Sequence, residues 1–124
     1  MVQNLLIVDD HDYFRSIFRK YLEEVKNISI IGEAENGKKA IELVAELKPH
    51  LIIMDINMPE MDGISAARIV KEQYPEIKVI LYSMYTSELN FKNLNDCANA
   101  FVAKDDLFVK LPGILERLQP KPEK

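Results

Sequence analysis

Short apolar runs alternate along this chain with longer segments whose apolar positions recur every three or four residues. Asn4-Leu5-Leu6-Ile7-Val8 predicts a first strand, buried on both faces. From His11 the period changes, and Phe14, Ile17, Phe18, Tyr21, Leu22 and Val25 form the stripe of an amphipathic helix. Ile28-Ser29-Ile30-Ile31 is a second strand. Asn36-Gly37 turns into a helix carrying Ala40, Ile41, Val44 and Leu47, which stops before Pro49. Leu51-Ile52-Ile53-Met54 is the third strand. Asp62 is the N-cap of a third helix with Ile64, Ala67, Val70 and Tyr74 inward. Val79-Ile80-Leu81-Tyr82 and Ala100-Phe101-Val102-Ala103 are the fourth and fifth strands. Between Tyr85 and Asn99 four asparagines, poor helix formers, predict a marginal fourth helix. Leu111, Ile114, Leu115 and Leu118 mark a last helix, and Pro112-Gly113 predicts that it starts late or bends there.

Regular alternation of strand and helix implies an α/β fold: a doubly wound, five-stranded parallel sheet with helices on both faces. A chain of 124 residues makes one domain, burying roughly two-thirds of its unfolded surface. Residues 4–118 are read as that domain and 119–124, polar and broken by two prolines, as a tail or the start of a linker. A net charge of −4 argues against nucleic-acid binding by this segment. The single cysteine, Cys97, has no internal disulfide partner and reads as small and partly buried. No apolar run has the length of a membrane span, so the expected address is the cytoplasm, with no membrane partner.

Four of the five strands end in a polar residue: Asp9-Asp10, Asp55, Ser83 and Lys104. In a parallel sheet the carboxyl ends share one edge, where open α/β sheets place their ligands. Three carboxylates, a hydroxyl and an amine therefore converge. Like charges about 4 Å apart repel by roughly 4 kcal/mol at an effective dielectric near 20. Such a cluster calls for a cation or protons, and oxygen-only ligands suit Mg2+. A capping role explains any one of these residues, but not all of them in this arrangement.

In this order and on these strands the motifs resemble the response-regulator receiver domain of bacterial two-component signalling, over Leu5 to about Leu118. The family's paired acids match Asp9-Asp10. Its phosphoacceptor and the turn that follows match Asp55, Met58-Pro59 and Asp62-Gly63. Its switch hydroxyl matches Ser83, its lysine Lys104 and its switch aromatic Phe101. Asp9-Asp10-His11 with Phe14-Arg15, and Lys104-Asp105, resemble receivers that precede a helix-turn-helix DNA-binding domain of the LuxR/NarL type. The resemblance implies a flavodoxin-like strand order of 2-1-3-4-5 and phosphoryl transfer from a histidine kinase onto Asp55. It also implies Mg2+ held by Asp10, Asp55 and the Asn57 backbone carbonyl, with Asp9 acting through a water. Lys104 and Ser83 would contact the phosphoryl oxygens. Ser83 and Phe101 would switch the face made by the fourth helix, the fifth strand and the last helix, a face also available for a homodimer. DNA would be met only through an additional domain.

Two departures stand out. Met84 follows the switch hydroxyl where the family is usually small, and is expected to crowd phosphoryl access. Cys97 occupies the place of a frequent glycine, with Asn99 expected to supply a left-handed residue instead. His11 and His50 read as solvated surface residues. A haloacid-dehalogenase-like phosphohydrolase is the enzymatic competitor, but it needs a carboxylate two residues after the nucleophile, where this chain has Asn57. The remaining competitors are a stand-alone receiver and an interaction module that never takes phosphate.

Overall fold

The computed structural model describes residues 2–84 and 96–119. Five strands, β1 (Gln3–Val8), β2 (Ile28–Ala34), β3 (Leu51–Asp55), β4 (Lys78–Ser83) and β5 (Ala100–Ala103), form one sheet in the order β2-β1-β3-β4-β5. All four pairings are parallel. The described helices are α1 (Asp12–Glu23), α2 (Gly37–Leu47), α3 (Gly63–Gln73) and α4 (Leu107–Leu118). The strand order implied by the resemblance is the one observed. The expected fourth helix falls largely on residues 85–95, outside the described residues.

Side chains alternate across the sheet and sort the strands into two cores. Leu5, Ile7, Leu51, Ile53, Ile80, Tyr82 and Val102 face α1 and α4, where they meet Phe18, Leu22, Leu107, Leu111 and Leu115. Leu6, Val8, Ile52, Met54, Val79 and Leu81 face α2 and α3, packing on Ala40, Val44, Ala66, Ala67 and Val70. The continuous apolar runs in the sequence are the signature of this two-sided burial. Among the described residues, no helix is long and apolar enough to cross a membrane.

Three expectations are corrected by the packing. The last helix does not start late: α4 begins at Leu107 and carries Pro112 inside it. The missing Pro112 N–H would have met the Phe108 carbonyl, and that oxygen instead accepts the Tyr21 hydroxyl at 3.3 Å. Buried Leu107 and Leu111 anchor the first turns of the helix. Among the described residues the left-handed ones are Asn27, Lys48 and Glu60, and Asn99 is not one of them. Its side-chain oxygen accepts the Val79 N–H at 2.9 Å and the Lys71 ammonium at 2.6 Å, while its own N–H meets the Val79 carbonyl at 2.8 Å. Asn99 thus serves the start of β4 with side chain and backbone together. Cys97 is wholly buried and not partly so, and burial pushes its thiol up from the ordinary value.

Candidate functional site

The same alternation that builds the core also aims the site. Asp9 continues the Leu5–Ile7 row, Asp55 the Leu51–Ile53 row and Lys104 the Val102 row, so all three fall on the α1–α4 side of the sheet's carboxyl edge. Tyr82 lies in register with Asp55 on the neighbouring strand. Asp9 and Asp55 are buried, at 0 and 3% exposed. A tight turn follows β3. The Gly63 N–H donates to Ile56 O at 2.9 Å, and a Cβ on Gly63 would stand 2.2 Å from the Asp55 carbonyl oxygen. Only glycine lets α3 start this close to the strand that presents Asp55. The Asp62 side chain caps that helix by accepting the Ser65 N–H at 2.8 Å.

Asp9, Asp10, His11 and Asp55 each bring one donor atom within 4.8 Å of the others. The Asp55 carboxylate accepts the Asn57 N–H at 3.1 Å. Burial pushes the Asp55 carboxyl up to about 6. The Asn57 hydrogen bond and Lys104 oppose that rise, while Asp9 and Asp10 reinforce it. Asp9 Oδ1 accepts the His11 backbone N–H at 2.7 Å, and the His11 ring nitrogen Nδ1 stands 3.0 Å from the same oxygen. Asp9 Oδ2 accepts the Tyr82 hydroxyl. Burial first, and Asp9 second, hold that phenol well above its ordinary value, so it remains a donor. Arg15 on α1 donates to the Asp9 carbonyl and pairs with Glu33 of β2, tying the end of β1 to its neighbours.

Lys104 Nζ lies 3.8 Å from Asp9 Oδ2 and 4.2 Å from the centre of the Phe14 ring. Ser83, 1% exposed, donates its hydroxyl to Asn57 Oδ1 at 2.8 Å. Phe101 is partly buried and packs against the core on the α2–α3 side. Met84 is 62% exposed. A cavity of about 630 Å³ lies at the opposite, amino-terminal edge beside His50, Lys78 and Arg117, remote from these groups.

The donor set fits a hard divalent cation on one specific observation. Asp10 Oδ1 is buried and has no hydrogen-bond partner among the described residues. His11 Nδ1 stands 3.2 Å from it, but a ring nitrogen carries at most one proton and Asp9 is nearer. A buried carboxylate oxygen left so is costly, and a cation among Asp9, Asp10 and Asp55 would satisfy it.

Two residues of this site escaped the sequence reading. The strand pattern places Tyr82 as one more apolar residue, because an aromatic inside a strand carries no mark of the polar end it presents. The sequence marks His11 only as a solvated surface residue. Its side chain is indeed 56% exposed, yet its ring touches both acids, and its place directly after them was the available signal. His50 is exposed, as expected, and its Nδ1 accepts the Asn4 N–H at 2.9 Å.

Residues 5–115 match the family model described as the response regulator receiver domain. The response regulator protein VraR of Staphylococcus saprophyticus is 38% identical over 101 residues, covering 81% of this chain and 48% of that protein. A protein-glutamate methylesterase/protein-glutamine glutaminase of Alkalilimnicola ehrlichii is 37% identical over 117 residues, covering 92% of this chain and 29% of that protein. RcsB of Salmonella enterica serovar Typhimurium, solved bound to the promoter rprA in the presence of phosphomimetic BeF3-, superposes with a TM-score of 0.82 at 28% identity. That match covers 94% of this chain and 61% of RcsB. The chain therefore spans half or less of the two curated relatives. Sheet order, clustered acids and a family match over nearly the full length agree, and the chain belongs to the family of CheY-like response-regulator receiver domains, regulatory modules and not classical enzymes.

Proposed function

We propose that residues 4–118 receive a phosphoryl group on Asp55 from a histidine kinase, with residues 119–124 as a tail or linker. The observation that carries this reading is the buried Asp55 carboxylate, 3% exposed, set among Asp9, Asp10 and the Lys104 ammonium. A carboxylate attacking phosphorus meets another anion, so the work of the protein is positioning and charge neutralisation. Asp10, Asp55 and the Asn57 backbone carbonyl would hold Mg2+, with Asp9 acting through a water. Bound Mg2+ supplies neutralisation of the charge that develops on the transferred oxygens.

Each remaining residue has one task. The Asn57 N–H orients the attacking carboxylate. Lys104 turns from the Phe14 ring to pair with one phosphoryl oxygen. Ser83 exchanges its bond to Asn57 for another phosphoryl oxygen, which draws the end of β4 inward. Phe101 then repacks, and the face of the fourth helix, β5 and α4 changes. A phosphoryl group adds close to two negative charges, enough to bias such an equilibrium. Met84 limits access for donor and hydrolytic water.

The output we favour is transcription, through a DNA-binding domain of the LuxR/NarL type joined to this receiver, with the switching face available for homodimerisation. Support comes from RcsB, bound to a promoter and longer than this chain, and from a net charge of −4, which is unsuited to DNA contact by the receiver itself. The likeness to a methylesterase marks a different output in that protein. Intact-mass measurement after incubation with acetyl phosphate and Mg2+ tests the chemical step. A single phosphoryl adduct, lost in Asp55→Asn and in excess EDTA, is expected.

A further inference from the structure

Tyr82 is a fully buried tyrosine in a strand whose other inward residue on that face is Ile80. Its ring packs on Phe14 and Phe18, with centroids 5.8 and 6.4 Å away, and its hydroxyl reaches Asp9 Oδ2. Lys104 Nζ approaches the same oxygen but stops at 3.8 Å, outside hydrogen-bond range, and rests on the Phe14 ring instead. The other oxygen of Asp9 faces the His11 backbone N–H at 2.7 Å and the His11 ring. Asp9 thus has hydrogen-bond donors on both oxygens, and Lys104 pairs with it by charge alone, at 3.8 Å and without a hydrogen bond. An ammonium bonded directly to a buried carboxylate makes a strong charge-assisted bond, and would have to break it before meeting any other anion.

Building on the phosphoacceptor reading above, we propose that the Tyr82 hydroxyl occupies Asp9 so that Lys104, paired with Asp9 by charge but not hydrogen-bonded to it, can turn to the phosphoryl group on Asp55. Tyr82 is then a positioning residue that acts through Asp9 and Lys104. In the reaction itself an Asp55 carboxylate oxygen forms a bond to the phosphorus of acetyl phosphate. The bond from phosphorus to the acetyl oxygen breaks, and acetate leaves with the electron pair. No proton leaves Tyr82.

Tyr82→Phe keeps the ring and removes only the donor to Asp9 Oδ2. A buried acceptor so deprived draws in the nearest cation, which is Lys104. A hydroxyl that merely satisfies Asp9 would cost stability when removed and leave Lys104 in place. The two roles separate in a double-mutant cycle. Initial rates of labelling by acetyl phosphate at saturating Mg2+ are compared for wild type, Tyr82→Phe, Lys104→Ala and the double variant, with urea midpoints for each.

Tyr82→Phe is expected to slow wild type by about tenfold, and to change the rate by less than about twofold once Lys104 is gone. Equal rates in wild type and Tyr82→Phe, or equal slowing in both backgrounds, overturn the proposal. No labelling of wild type overturns the phosphoacceptor reading and this inference with it. Should Tyr82→Phe fail to fold, a crystal structure of wild type with beryllofluoride decides. Lys104 on a fluoride with the Tyr82–Asp9 bond intact supports the proposal, and Lys104 hydrogen-bonded to Asp9 overturns it.

Discussion

Asp55→Asn in the metal-free protein turns the electrostatics of the site into a stability measurement. Asp55 is 3% exposed, and its carboxyl is pushed from 3.8 to about 6, chiefly by burial. Because the folded-state value is raised, the native protein binds more protons than the unfolded chain between those two values. Stability from this group is therefore fully present below about pH 4 and is lost as pH rises through about 6. The charged carboxylate then costs the fold about 3 kcal/mol at neutral pH. Asparagine keeps the shape and cannot ionise. In urea titrations with excess EDTA, Asp55→Asn should match wild type near pH 4 and exceed it by up to about 3 kcal/mol near pH 8. Added Mg2+ should raise the wild type more than the variant, since a ligand stabilises only the state that binds it. A gap independent of pH, or a variant less stable than wild type at neutral pH, would refute the reasoning.

Two further outcomes are expected. Asn99→Ala strips acceptors from the Val79 N–H and the Lys71 ammonium together, and should lower stability by about 1–3 kcal/mol in urea denaturation. A loss below the error of the titration would mean that water replaces the side chain. Met84→Ala, by opening the approach to Asp55, should speed phosphorylation by acetyl phosphate and autodephosphorylation alike by about tenfold, equivalent to roughly 1.4 kcal/mol of barrier. Rates within about twofold of wild type would assign the exposed thioether no part in access.

The sheet and the acids were legible in the sequence for one reason. Strands buried on both faces leave apolar runs with sharp ends, and the residue at each end is the one the parallel sheet delivers to the shared edge. Asp9, Asp10, Asp55, Ser83 and Lys104 were found this way. Bonds formed across strands carry no such mark. The Tyr82–Asp9 hydrogen bond joins positions 73 apart in the chain, and periodicity places Tyr82 in the core without saying where its hydroxyl goes. Asn99 suggested left-handed backbone because asparagine tolerates it, yet its side chain is taken up by Val79 and Lys71. Pro112 suggested a late start or a bend because propensity is local, whereas α4 already runs from Leu107, held by buried leucines and a tyrosine from α1.

Intact-mass labelling of the wild-type chain by acetyl phosphate, with Asp55→Asn and excess EDTA in parallel, tests the central claim most directly. One phosphoryl adduct on wild type, absent in both controls, is the predicted result. Undiminished labelling of Asp55→Asn, or labelling of wild type that EDTA leaves unchanged, would contradict the account.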